Sequence, residues 1–175
     1  AAGGTGGHVF PAIAIADAIK SMDPGVEIMF IGAKGKIEER VVPQRGYPFI
    51  PIWISGFRRT LALDTLLVPV KLVVSIVQSI LLIRRMKPAV VVGTGGYVCG
   101  PVLLAAWLLG VPTVLHESNS YPGLTSRLLA SRVTEVHVAF ERTREFLPRA
   151  HTVNVSGNPT LGDLGTKTRR EAAAF

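Results

Sequence analysis

Two glycine clusters and one histidine carry most of the chemistry open to this sequence. The first cluster runs Gly3-Gly4-Thr5-Gly6-Gly7-His8 and the second Gly93-Thr94-Gly95-Gly96-Tyr97. Glycines where a strand hands over to a helix let backbone N–H groups approach an anion closely, and the helix N-terminus adds partial positive charge. The first cluster fits neither common phosphate motif. Read from Gly4 and Gly6, the dinucleotide pattern meets Val9 where its third glycine belongs, and no Gly-Lys-Ser/Thr follows. In an open parallel sheet, ligands bind beyond the carboxyl ends of the strands, so two such turns would line one cleft and together suit a diphosphate. The plainer alternative is that the glycines only permit tight turns. His8, at or near the start of the first helix, can take a proton from a substrate hydroxyl, or can merely bond nearby backbone. Glu117, two residues before Asn119 at a later strand end, can orient such a base or bond sugar hydroxyls, or can cap its own loop.

These residues need a scaffold that brings strand ends together, and the alternation along the chain supplies one. Apolar periodicity predicts a helix over 11–21 with Pro11 as its opener, a strand over 26–31 closed by Gly32, a helix over 37–45 and a strand over 49–54. A long helix is expected over 65–86, a strand over 89–92, a helix over 101–109 and a strand over 113–116. A helix over 123–131 and strands over 135–139 and 152–155 complete the pattern. Strands alternating with helices imply right-handed crossovers, a mostly parallel sheet and helices on both faces: an α/β, Rossmann-like domain. Such a domain opens on a buried strand, yet this sequence starts inside the turn, so the first strand is expected to be missing. The stretch 168–175 reads as the start of a further helix.

Composition narrows the field. With 48% hydrophobic residues and a positive mean hydropathy, 175 residues suffice for one domain with a real core and exclude disorder. A formal charge of +7 suits an anionic partner: phosphate, nucleic acid or an acidic membrane surface. No aromatic-studded strand or recognition helix speaks for nucleic acid, which is set aside. One cysteine, Cys99, allows no internal disulfide, and no Asp-x-Asp pair or His/Cys cluster marks a metal site.

Four motifs in order, Gly3-Gly-Thr-Gly-Gly-His-Val-Phe-Pro11, Gly93-x-Gly-Gly-Tyr-x-x-Gly-Pro101, His116-Glu-x-Asn119 and Gly157-Asn-Pro159, resemble the MurG-type transferases over most of the chain. That resemblance implies a two-domain, double-Rossmann (GT-B) inverting glycosyltransferase of peptidoglycan synthesis. Such an enzyme moves N-acetylglucosamine from UDP-GlcNAc to the C4 hydroxyl of the muramyl sugar of lipid I, giving lipid II. It implies that residues 1–158 form the acceptor-binding domain and that 159–175 are the hinge and the start of a donor-binding domain. By position, Thr5, Gly6, Gly7 and Asn119 match donor contacts. Gly4, Gly95, Gly96 and Tyr97 lie in turns that would face the acceptor diphosphate, and His8 and Glu117 are the catalytic candidates. UDP-GlcNAc is a co-substrate and no cofactor is implied. One departure stands out: Leu161 occupies a position where many family members place a donor-contacting arginine. Since most of the nucleotide pocket belongs to the other domain, the 175 residues alone are expected to be inactive. Two rivals remain at this stage, a glycolipid synthase with another acceptor and a non-catalytic half-domain that binds a lipid diphosphate.

The stretch from Leu61 to Arg85 is apolar nearly all round, with Arg58 and Arg59 before it and Arg84, Arg85 and Lys87 at its end. A buried helix accounts for the apolarity but not the basic flanks, and a membrane span is interrupted by Pro69, Lys71 and Gln78. A helix resting on an anionic bilayer accounts for both, with Tyr47, Trp53 and Phe57 as candidate interfacial anchors. The resemblance implies the same placement, peripheral on the cytoplasmic face of the bacterial cell membrane.

Overall fold

The computed structural model describes residues 1–56 and 67–161. Helix α1 (Gly6–Met22) leads to strand β1 (Phe30–Ala33), α2 (Ile37–Gln44) and β2 (Phe49–Ile52). Then follow α3 (Val68–Met86), β3 (Val91–Gly93), α4 (Cys99–Leu108), β4 (Thr113–Glu117), α5 (Leu124–Leu129), β5 (Glu135–Val138), a 3-10 turn (Glu141–Phe146) and β6 (Val153–Val155). Every strand pairing is parallel: β1 with β2, and β3-β4-β5-β6 in that order. Ala1 and Ala2 lie in the lane between the two groups. The Ala2 N–H donates to Ile31 and the Ala1 nitrogen to the Val92 carbonyl, while Thr94 N–H donates to the Ala1 carbonyl. The strand order therefore reads β2-β1, the Ala1-Ala2 segment, then β3 to β6, which is the doubly wound arrangement expected from the alternation.

Side-chain alternation along β1 shows that both faces are covered. Phe30 joins α1 and α2 in a cluster with Val9, Ile13 and Val42, whereas Ile31 and Ala33 join the opposite cluster of Val98, Val102, Leu103 and Leu115. Full burial of a side chain such as Leu103 or Leu115 stabilises by about 1.5–3 kcal/mol, and both are completely buried.

Several boundaries depart from expectation for physical reasons. Helix α1 begins at Gly6, so Pro11 is not an opener but sits inside the helix. There it removes the N–H that would reach the Gly7 carbonyl. The first turn is nucleated instead on Thr5, whose carbonyl accepts from both His8 and Val9 N–H. Strand β1 is displaced towards the C-terminus and runs through Gly32, which does not end it. Gly32 is required within the strand because a Cβ there would lie 2.5 Å from the Phe49 ring and 2.6 Å from Glu38 Cγ. Tyr47 is a core residue and not an interfacial anchor. It is buried, its hydroxyl donates to Asp17 at 2.6 Å, and burial with that bond pushes its pKa up to about 12. Phe57, Arg58, Arg59, the start of the long apolar stretch and the segment 168–175 lie outside the described residues.

Helix α3 packs along α4. Its inner face is built from Ser75, Ser79 and Ile83, all buried, and each serine hydroxyl bonds back to a carbonyl one turn earlier. Its polar interruptions also have partners. Gln78 Oε1 accepts from Trp53 N–H at 2.9 Å, and Lys71 lies over the Trp53 ring while reaching Ser55. What faces outward is apolar: Val70, Val73, Val77 and Leu81 are each at least half exposed, and Arg84 and Arg85 follow on.

Candidate active site

The two glycine turns meet at His8. Its Nδ1 lies 3.0 Å from the Thr94 carbonyl, and the Thr94 hydroxyl donates back to the His8 carbonyl at 2.7 Å. A carbonyl can only accept, so this bond fixes a proton on Nδ1, and Nε2 holds the lone pair whenever the ring is neutral. Thr94 is 1% exposed and ends the strand turn after β3, so this reciprocal pair fastens the start of α1 to the second turn. Gly95 and Gly96, at φ +94° and +79°, fold closely around the imidazole. A Cβ at Gly95 would sit 2.7 Å from His8 Nδ1, and one at Gly96 would sit 2.2 Å from the Gly3 carbonyl oxygen. The second turn is thus glycine-rich partly to hold the histidine. Cys99, at the start of α4, is buried with its sulfur on the carbonyls of Gly95 and Ala1; burial pushes its thiol pKa up, which makes it a packed and unreactive group.

The first turn divides its donors. Gly4 N–H is already taken by Glu38, at 3.2 and 3.3 Å from the two carboxylate oxygens, so Gly4 has no spare amide for a diphosphate. Tyr97 lies across the same turn, its ring filling the space where a Gly4 Cβ would be. Gly6 and Gly7 are different: among the described residues their N–H groups have no hydrogen-bond partner, as the first amides of a helix do. The Thr5 side chain makes no cap bond and is exposed. Gly6, Gly7, Phe10 and Pro11 line a pocket of ≈ 490 Å³ with the segment 158–161. Its other wall includes Leu161, which is 8% exposed and packs into the cluster of Val9 and Ile13.

Glu117, ending β4, is 1% exposed and fully engaged. One oxygen accepts from Asn119 N–H at 2.9 Å and from Asn119 Nδ2 at 2.7 Å; the other accepts from Gly123 N–H at 3.0 Å and from the Ser126 hydroxyl at 2.6 Å. These are the bonds of a loop cap that orders residues 118–123 and starts α5, and they leave the carboxylate no free site for a proton in transit. Its effect on a ligand would pass through Asn119, whose amide nitrogen it holds and whose Oδ1 it leaves as acceptor. His116, beside it, is 3% exposed, and its Nε2 meets the Gly157 carbonyl at 3.0 Å. Burial pushes its pKa down.

Residues 1–138 match the N-terminal domain of glycosyltransferase family 28. The chain belongs to that family. Among curated family 28 relatives, the UDP-N-acetylglucosamine–N-acetylmuramyl-(pentapeptide) pyrophosphoryl-undecaprenol N-acetylglucosamine transferase of Salinibacter ruber is 48% identical over 162 residues, covering 93% of this chain and 44% of that protein. Its namesake in Ruminiclostridium cellulolyticum is 43% identical over 174 residues, covering 99% and 48%. Among solved structures, MurG of Acinetobacter baumannii superposes with a TM-score of 0.76 at 33% identity, over 91% of this chain and 45% of that one. The chain spans about half the length of the curated relatives it matches. As a family 28 N-terminal domain it has the parallel sheet with helices on both faces, and it places His8, Gly6, Gly7, Gly95, Gly96 and Asn119 at strand-end or helix-start turns.

Two residues of this site carry no signal of their own in the sequence. Thr94 was visible only as the residue between two glycines, and Glu38 as an acidic residue in the first turn of α2, where a carboxylate commonly favours the helix dipole. Neither signal discloses a contact made 86 or 34 residues away in sequence.

Proposed function

We propose that the intact protein containing this chain is an inverting N-acetylglucosaminyltransferase. It would move GlcNAc from UDP-GlcNAc to the C4 hydroxyl of the muramyl sugar of lipid I and release UDP. The observation that carries this reading is the His8–Thr94 pair, which fixes the imidazole through Nδ1 and leaves Nε2 to act on a substrate at the junction of two glycine turns. In the reaction Nε2 takes the proton of the C4 hydroxyl as its oxygen bonds to the anomeric carbon of GlcNAc. The bond from that carbon to the diphosphate breaks with inversion, and the proton leaves His8 for solvent afterwards. Gly6 and Gly7 N–H groups, together with Thr5, suit the donor side, with Asn119 Oδ1 as an acceptor for a sugar hydroxyl or amide. Gly95, Gly96 and Tyr97 remain for the acceptor diphosphate. Residues 1–158 serve as the acceptor-binding domain and 159–175 lead into the donor-binding domain. No cofactor takes part.

The membrane part of the reading rests on α3. An apolar stripe of Val70, Val73, Val77 and Leu81 running into Arg84, Arg85 and Lys87 matches a helix lying on an anionic bilayer, where lipid I would be presented. Among the described residues no helix is long and apolar enough to cross a membrane. We place the protein peripherally on the cytoplasmic face.

The deciding experiment measures transfer of labelled GlcNAc from UDP-GlcNAc to a lipid I analogue by the intact protein and its His8→Ala variant. Transfer that falls by about two orders of magnitude or more in the variant supports both enzyme and base. Undiminished transfer would move the base elsewhere. Intact donor binding with no transfer to lipid I, but transfer to a diacylglycerol acceptor, would replace the substrate.

A further inference from the structure

We propose that Glu38 is a positioning residue for this transfer: its buried carboxylate sets the first glycine turn and, through it, the placement of His8. The inference rests on the reading of His8 as the base. Glu38 stands in the first turn of α2 and is 1% exposed. One carboxylate oxygen accepts from Ala33 N–H at 3.0 Å, at the carboxyl end of β1, and from Gly4 N–H at 3.2 Å; the other lies 3.3 Å from the same Gly4 nitrogen. The carboxylate thus joins the end of β1 to a turn that lies 34 residues before Glu38 in sequence. A buried carboxyl group is costly to desolvate, and accepting backbone N–H groups from two separate segments offsets part of that cost. Two glycines are shaped around it as well. A Cβ at Gly3 would lie 2.5 Å from a Glu38 oxygen, and one at Gly32 would lie 2.6 Å from Glu38 Cγ.

The geometry continues from Gly4 to the base. Thr5 follows Gly4 directly, and its carbonyl anchors both His8 and Val9 N–H, so the turn held by Glu38 determines where α1 begins. The Gly3 carbonyl abuts Gly96, so the same anchor sets the contact between the two turns that enclose the imidazole. With the carboxylate gone, Gly4 and Ala33 would lose their acceptor and the turn could shift by a fraction of an ångström to an ångström. A displacement of that size is enough to lower a positioned reaction about 100-fold.

The test is a double-mutant cycle on the intact protein with Glu38→Ala, Glu38→Gln, His8→Ala and the Glu38→Ala/His8→Ala pair, assayed well below every melting temperature. Glu38→Ala should lower kcat about 30- to 100-fold in the parent background but less than about threefold in the His8→Ala background, because a residue acting through the base adds nothing once the base is gone. Glu38→Gln keeps one oxygen that can accept from both amides, and should recover to within about tenfold of the parent. Additive losses, no rescue by glutamine, or a Glu38→Ala protein within threefold of the parent would overturn the proposal. Should the parent itself fail to transfer to lipid I, the enzyme reading falls, and amide hydrogen exchange over residues 3–9 decides the positioning role alone. Faster exchange there in Glu38→Ala, with β3–β5 unchanged, keeps it; unchanged exchange over 3–9 ends it.

Discussion

An alanine at position 95 would need a φ of +94°, and its methyl group would stand 2.7 Å from His8 Nδ1. The methyl clash falls on the imidazole and the φ strain on the turn that encloses it. Gly95→Ala should therefore behave as a weak copy of His8→Ala: transfer reduced by at least about tenfold, with UDP-GlcNAc affinity held within about threefold. Equal losses in affinity and turnover would place the glycine against the donor instead. At this scale the sequence disclosed which residue types could do chemistry but not their partners. His8, Gly95 and Gly96 could be named because glycine and histidine advertise unusual backbone and proton chemistry. The reciprocal bond to Thr94, the capture of Gly4 by Glu38 and the complete engagement of Glu117 all depend on segments brought together only by the sheet. Glu117 illustrates the limit: a strand-end carboxylate reads equally well as acid, base or cap until its four donors are seen.

Helix α3 was legible as apolar on nearly every side, yet which side faces inward was not. The buried face carries Ser75 and Ser79 beside Ile83, with both hydroxyls satisfied within the helix, while Val70, Val73, Val77 and Leu81 face outward. Small residues let helix axes come near, and this leaves the larger apolar side chains outside. The two faces should respond in opposite ways to substitution. Val73→Asp with Val77→Asp, on the exposed stripe, should leave the melting temperature within about 2 °C of the parent. The same change should strongly reduce flotation with phosphatidylglycerol vesicles, where the apolar face is inserted. Ser79→Leu should overpack the α3–α4 contact and destabilise by about 1–3 kcal/mol without altering vesicle binding in the folded fraction. Vesicle binding unaffected by the aspartates would remove α3 as the membrane face. Boundaries were legible to within a few residues elsewhere, and the larger errors had local causes: a proline inside α1 and a glycine inside β1.

Across the whole molecule, the centre of the sheet is tied to the segment that follows β6 by one buried imidazole. His116 on β4 reaches the Gly157 carbonyl, and on its strand neighbour it is registered directly opposite His137. Burial is the main cause holding its pKa below the ordinary histidine value, and the bond to Gly157 and the nearby Glu117 oppose this only in part; His137 adds to the depression. The sign follows from linkage. With the folded pKa below the unfolded value of about 6.5, the unfolded chain binds more protons in the interval between them. The stability His116 contributes is therefore fully present above pH about 6.5 and is lost as the pH falls through that interval. Thermal unfolding of the intact protein between pH 5 and 8 should show a melting temperature that declines below about 6.5. His116→Gln, which can keep a donor towards Gly157 but cannot titrate, should start lower and decline less. Carboxylates that protonate at lower pH tilt both curves alike, so the difference between the two proteins isolates the imidazole. Parallel curves would mean that His116 is protonated as easily in the fold as outside it, and that the link from the sheet to residues 157–161 does not depend on a neutral ring.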